Sequence, residues 1–200
     1  MCSNYWMSPR MNRTAADDQA LMARVKAGDE NAFRDIVLFN QDRVIRLCHR
    51  YVGNQADAEE LAQEVFIRLY RTADRYEPAG KLSTLLYRIA VNLSLNFIRD
   101  RKRRRLFSLE WFRNGGESVY TRNGEERPDV LLEQEERRRL VRRAIDSLPE
   151  SQRTAVILKR FEDLSYEEIA DVMGCSVASV ESRLHRARQT LKKKLRPLIG

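Results

Sequence analysis

A chain of 200 residues that is 42% hydrophobic is long enough for one ordinary domain or two small ones, and apolar enough to bury a core. Its 37 Lys and Arg against 29 Asp and Glu leave a net charge of +8, which favours a polyanionic partner such as nucleic acid or acidic membrane. Three widely spaced cysteines, Cys2, Cys48 and Cys175, show no CxxC or Cys/His pattern, so they support neither a disulfide framework nor a zinc site and fit a reducing compartment.

In chain order, the N-terminal MCSNYWMSPRMNRTAADD lacks the apolar centre of a signal peptide, and no run approaches the roughly 20 apolar residues that span a bilayer. A cytoplasmic protein without stable membrane insertion is expected, with a disordered leader over 1–14 and either Met1 or Met11 as its start. Helical periodicity dominates and alternating strand patterns are missing, so the expected fold class is all-α. Helices are expected at about 17–27, 30–52, 55–73 and 83–102. The stretch LEWFRNGGESVYTRNGEERPD, with Gly115, Gly116, Gly124 and Pro128, then reads as an inter-domain linker. Beyond it a charged helix at about 129–147 stops at Leu148-Pro149-Glu150, because proline has no backbone donor and restricts its predecessor. One further helix opens after LPESQ, and a pair of helices closes the chain. The expected architecture is two small helical domains, 15–105 and 129–200, joined by a flexible linker over 106–128.

Within the third helix, DAEELAQEVFIRLYR puts Ala58, Leu61, Ala62, Val65 and Leu69 on one stripe, the spacing of a core face. Glu60, Gln63, Glu64 and Ile67 fall on another face. An acidic surface on a basic protein avoids DNA, so it either docks a basic or mixed protein surface or is simply solvated. The fourth helix, within KLSTLLYRIAVNLSLNFIRDRKRRR, turns Leu86, Ile89, Ala90, Leu93 and Phe97 inward. Arg88, Asn92 and Arg99 then share an outer face, with Asn96 beside it and the basic cluster beyond. Tyr76 sits in the preceding loop. Aromatic and amide groups along a basic track suit single-stranded nucleic acid, where stacking contributes about 1 to 3 kcal/mol per base.

The final pair, LSYEEIADVMGCSVASVESRLHRARQTLKKKL, carries the most specific local pattern. Ser165 and Glu168 form an S-x-x-E capping box, Gly174 permits a sharp turn, and Ser176 caps the next helix. Ile169, Ala170 and Met173 face Val177, Val180 and Leu184. That is helix-turn-helix spacing, although a plain helical hairpin would share much of it. The outward residues of the second helix are Ala178, Ser179, Glu181, Ser182, His185 and Arg186. Arg183, Arg188 and Lys192 to Lys194 flank them towards phosphates.

Two other readings fit parts of this pattern. A repressor or response regulator also uses a helix-turn-helix, but the N-terminal half shows no phosphoacceptor α/β pattern and no ligand-pocket signature. For an enzyme there is no HExxH, P-loop or GxGxxG, only His49 and His185, and neither cofactor nor metal is expected.

The acidic helix, then STLLYRIAVNLSLNFIRDRKRR, then a linker and the LPESQ-to-LKKKL segment resemble, in that order, the hallmarks of extracytoplasmic-function (ECF) sigma factors of the sigma-70 family. The resemblance covers roughly residues 15–196 and implies an alternative sigma factor that binds core RNA polymerase, recognises promoter DNA and helps to open it. By it, Asp57, Glu60, Leu61, Gln63, Glu64 and Phe66 bind core polymerase. Tyr76, Thr84, Tyr87, Arg88, Asn92, Asn96 and Arg99 read the minus-ten element. Ser179, Glu181, Ser182, Arg183, His185, Arg186 and Arg188 meet the minus-thirty-five element. The helices at 129–160 pack on the polymerase flap, the linker threads towards the active-centre channel, and an anti-sigma factor is an expected partner. Two positions depart from the pattern. Leu85 stands where many relatives carry Trp, and Glu181 where they often carry a base.

Overall fold

Most helix boundaries coincide with a capping residue or a breaker in the sequence. The computed structural model describes residues 15–76, 81–113 and 129–196, and among them all the regular structure is helical. The leader, residues 77–80 and residues 114–128 of the expected linker lie outside the described residues.

Helix α1, Ala15–Lys26, leads through a turn to Asp29. The Asp29 carboxylate accepts from the Asn31 and Ala32 amides to cap α2, Glu30–Val52, while Arg24 grips its other oxygen at 2.7 Å. Gly53, at φ +76°, closes α2 in the left-handed region, and Asn54 caps α3, Gln55–Arg71. That helix stops two residues short of the expected 73. Thr72 Oγ donates to the Arg68 carbonyl, and a short 3-10 turn follows at Ala73–Arg75. Helix α4, Leu82–Arg113, runs eight residues into the stretch read as linker.

Helix α5 is Asp129–Asp146 and α6 is Glu150–Phe161. The start of α6 corrects the expectation that it opens after LPESQ. Pro149, at φ −52°, is preset to precede a helical turn, and its carbonyl already accepts from Gln152 and Arg153. Helices α7, Tyr166–Met173, and α8, Val177–Leu195, complete the chain.

Helix α2 packs on α3 and α4, with α1 laid across this group, to form a first lobe; α6 and α7 pack on α8, with α5 alongside, to form a second. Ile36, Val44, Leu47, Val65, Leu69 and Leu86 fill the first lobe, and Ile157, Leu158, Ile169, Val180 and Leu184 the second. Burying each such side chain contributes about 1.5–3 kcal/mol. The apolar cluster is continuous through both lobes. Among the described residues no helix is long and apolar enough to cross a membrane.

Candidate nucleic-acid interface

The helix-turn-helix is built as its sequence specifies. Ser165 N donates to Glu168 Oε2 at 2.9 Å and Glu168 N returns to Ser165 Oγ at 3.1 Å, which satisfies two amides that α7 leaves orphaned. Gly174 adopts φ +61°, open to glycine without strain, and Ser176 Oγ accepts from Ser179 N. Ile169, Ala170 and Val172 of α7 are buried, as are Val180, Leu184 and Ala187 of α8. Val172 takes the inward place expected of Met173, which is only half-buried.

This packing leaves Ala178, Glu181, His185, Arg186 and Arg188 exposed, with Ser179 and Ser182 half-buried beside them. Arg186 Nη2 donates to Ser182 Oγ at 2.7 Å, so the two present one donor unit. Arg183 behaves differently. It folds back on the turn, its Nη1 lying 3.1 Å from Cys175 Sγ and 4.0 Å from Met173 Sδ. Lys192, Lys193 and Lys194 are all exposed, and Lys194 is tied to Ser147 Oγ at 2.6 Å. Arg186→Ala is therefore expected to cost about 1–3 kcal/mol on the cognate duplex and little on scrambled DNA. Lys193→Ala is expected to weaken both alike and to reduce the salt slope by about one unit. Titrations of each variant against both duplexes at several salt concentrations check the pair; equal loss on both for Arg186→Ala would assign it to phosphate.

On the first lobe, Glu60 and Gln63 are exposed and Glu64 is half-buried, bridged to Arg68 at 2.7 Å. With Ile67, 43% exposed, and Phe97 they line a groove of about 350 Å³ between α3 and α4. Glu60, Gln63, Glu64 and Arg68 ring an apolar floor here. Leu61, though mostly buried, forms part of its wall, Phe66 lies in the core, and Asp57 faces Arg101 at 3.6 Å.

Helix α4 brings Arg88, Asn92, Asn96 and Arg99 onto one exposed face. Half-buried Tyr76, Thr84 and Leu85 join Arg88 and Asn92 along a cleft of about 930 Å³, rimmed by Arg71 and Arg75 of the first lobe and by Asp171 of α7. Tyr87 is not brought to this face. One residue from Arg88 is about 100° of helix, and Tyr87 turns inward beside Leu86, 3% exposed. Its hydroxyl donates to Glu162 Oε2 at 3.2 Å, and burial pushes the phenol pKa up to about 12.

Sequence reasoning missed what faces α4 from the second lobe. Arg88 Nε and Nη2 donate to the Asp171 carbonyl at 3.1 and 2.5 Å, Lys81 pairs with Glu168 at 2.8 Å, and Arg99 pairs with Glu150. On the other side, Arg142 donates to the His49 and Arg50 carbonyls and Arg153 to that of Tyr51 at 2.7 Å, which caps the C-terminus of α2 from a distance in sequence. Arg50 in turn stacks 3.8 Å over the Phe161 ring. Burial raises the Glu162 carboxyl above its usual range, and the hydrogen bond from Lys81 holds Glu168 below its own. No local pattern signals these pairings. Among the described residues no three His, Cys, Asp or Glu side chains converge as a metal site.

Residues 36–104 match the family described as sigma-70 region 2, and residues 138–191 match sigma-70 region 4. The chain is 40% identical over 188 residues to the ECF RNA polymerase sigma-E factor of Escherichia coli K12, a match covering 91% of this chain and 96% of that one. It is 37% identical over 177 residues to the ECF RNA polymerase sigma factor SigW of Bacillus subtilis, covering 88% and 95%. Among solved structures it resembles the sigma factor RpoE of Bartonella quintana, crystallised with the anti-sigma factor NepR. That likeness has a TM-score of 0.60 at 25% identity and covers 82% of this chain and 96% of that one.

Proposed function

The chain belongs to the ECF sigma factors of the sigma-70 family, and from that premise we propose how its surfaces divide the work. Residues 15–105 form the unit that docks core polymerase and opens the minus-ten region, 106–128 connect, and 129–200 read the minus-thirty-five element. Glu60, Gln63 and Glu64 hold core polymerase across the groove floored by Ile67, with Asp57 at its end. Leu61 joins Ile67 in the groove wall, and Phe66 acts from the core by fixing α3. The α4 face, Arg88, Asn92, Asn96 and Arg99, takes the separated strand, with Tyr76, Thr84 and Leu85 along the cleft. Tyr87 supports that surface from beneath. Ser179, Glu181, Ser182, His185, Arg186 and Arg188 enter the upstream major groove, and Arg183 braces the turn that presents them.

The observation that carries this reading is the arrangement of three unlike surfaces on one chain. An acidic groove suits a protein partner, an amide-and-arginine track suits a single strand, and a capped helix-turn-helix suits duplex. The protein performs no covalent chemistry itself; the polymerase does, in the cytoplasm where the promoter lies. The contacts between the lobes engage Lys81, Arg88 and Arg99, so promoter binding requires those pairs to exchange for phosphates. An anti-sigma factor would hold the protein from polymerase until a stress releases it, as the solved neighbour's partner suggests by analogy.

Reconstitution tests the whole: core polymerase with this chain is expected to initiate from selected promoter DNA that core alone ignores. Glu64→Lys is expected to weaken the affinity for core at least about tenfold by setting like charge against a basic or mixed docking surface. Circular dichroism should stay helical. Unchanged affinity, measured by competition for core polymerase, would remove Glu64 from the docking face.

A further inference from the structure

Helix α1 lies outside the matched region 36–104, and an acid interrupts its inner stripe. Met22 and Val25 are 1% and 5% exposed and anchor the helix on the core. Asp18 stands one turn before Met22 on the same side and is half-buried, a place where an apolar residue would be expected. Its position in the first turn of α1 suits that helix's own dipole, but a solvent-facing acid would serve equally well there. The distinguishing fact is its partner. Asp18 Oδ2 accepts from the backbone amide of Leu82, the first residue of α4, at 3.1 Å across 64 residues of sequence.

That amide is one of the four that α4 cannot satisfy internally, and a carboxylate beside it also complements the positive end of the helix. Helix α1 also packs against the 3-10 turn at Ala73–Arg75. The same helix therefore supports both ends of the segment from Tyr76 to Leu82, and Asp18 lies near enough for its charge to act on the Tyr76 hydroxyl. Two groups grip the start of α4 in the closed arrangement: Asp18 from the first lobe, and Glu168 of the second through Lys81. Once the lobes separate, Asp18 remains.

We propose that Asp18 is a positioning residue for strand opening: by capping α4 from α1, it holds Tyr76, Thr84 and Leu85 in register with Arg88 and Asn92 as the second lobe leaves. This rests on reading the α4 face as the strand-binding surface. Asp18 touches no DNA in it; it acts on α4 through the Leu82 amide.

The test uses holoenzyme assembled from core polymerase and the full chain. Three affinities are measured: for core, for a duplex carrying the upstream element alone, and for a single-stranded oligonucleotide of the minus-ten region from a promoter selected with the wild-type protein. Asp18→Ala is expected to weaken oligonucleotide binding about three- to tenfold, the effect of losing one helix cap, with the other two affinities unchanged. Asp18→Asn, whose amide oxygen still accepts from Leu82 N–H, is expected to restore binding to within about twofold of wild type. A purely structural role would lower core affinity together with strand binding, and that outcome would overturn the proposal. So would wild-type strand binding by Asp18→Ala, or an Asn variant as defective as the Ala one. If the wild-type holoenzyme bound no strand, the reading of α4 itself would fall, and the proposal with it.

Discussion

Ile169→Ala is expected to melt the second lobe and abolish binding to the upstream duplex while leaving polymerase docking through α3 largely intact. Ile169 is fully buried on the core side of α7, in the apolar cluster that includes Val180 and Leu184. Truncating a buried isoleucine to alanine costs about 2–5 kcal/mol, transfer and cavity together. A helical unit of this size rarely draws more than about 3–5 kcal/mol from its core, so the loss is comparable to all it has. Ile169→Val, which removes one methylene, should cost only about 0.5–1.5 kcal/mol and keep the lobe folded. Amide hydrogen exchange on the full chain separates the lobes: protection should collapse over α6 to α8 and persist over α2 and α3. Unchanged protection of α7 in the alanine variant would show that the α7–α8 layer does not depend on Ile169.

The same helices explain how much was legible beforehand. Everything that fixes α7 and α8 lies within a few residues: the Ser165/Glu168 box, Gly174 and the Ser176 cap. Local signals of that kind survive in any tertiary context, so the helix-turn-helix and its exposed residues could be read directly. The stripe of α3 was equally plain, because Ala58, Leu61, Ala62, Val65 and Leu69 repeat at helical period and are all buried. Helix α4 was harder to end. The basic cluster suggests a stop by charge repulsion, yet no glycine or proline intervenes before Arg113, and Asp100 and Asp57 lie 3.1 Å from Arg103 and 3.6 Å from Arg101. A helix already nucleated extends at little cost through such a stretch.

The facing of individual residues was least legible where the second lobe decides it. Tyr87 belongs by resemblance to the strand-reading group, but Glu162, 75 residues on, gives its hydroxyl a partner and the fold buries its ring. Arg183 is basic and close to the groove-reading residues, but the sulfurs of Met173 at the end of α7 and Cys175 in the turn take its guanidinium first. Pairings of this kind depend on tertiary packing rather than on spacing along one helix. Asp18 is a further case. No sequence pattern marks it, because the amide it serves lies 64 residues away.

Asn92→Ala is expected to depress transcription from a fully paired promoter about fivefold or more, and to affect a promoter with a pre-opened bubble much less. Arg88 and Asn92 stand one turn apart on the exposed side of α4 and share a cleft with Tyr76 and Leu85. In the closed arrangement Arg88 is occupied by the Asp171 carbonyl, whereas the Asn92 amide makes no hydrogen bond among the described residues. An unpaired base meeting it would displace no protein partner. A hydrogen bond of that kind contributes about 0.5–1.5 kcal/mol net, up to roughly a tenfold effect on the population of the opened strand. A bubble supplies the opened strand already, so the same loss matters less there. Leu85→Trp probes the same cleft from its apolar side. Leu85 is half-buried along the wall, so a larger ring has room to extend towards the strand, and the variant is expected to ease opening by adding a stacking face. Permanganate reactivity of the minus-ten thymines, measured at equal promoter occupancy, checks both variants. Opening by Asn92→Ala at the wild-type level would take that residue off the melting surface and leave Arg88, Asn96 and Arg99 as the side chains of this face to be tested next.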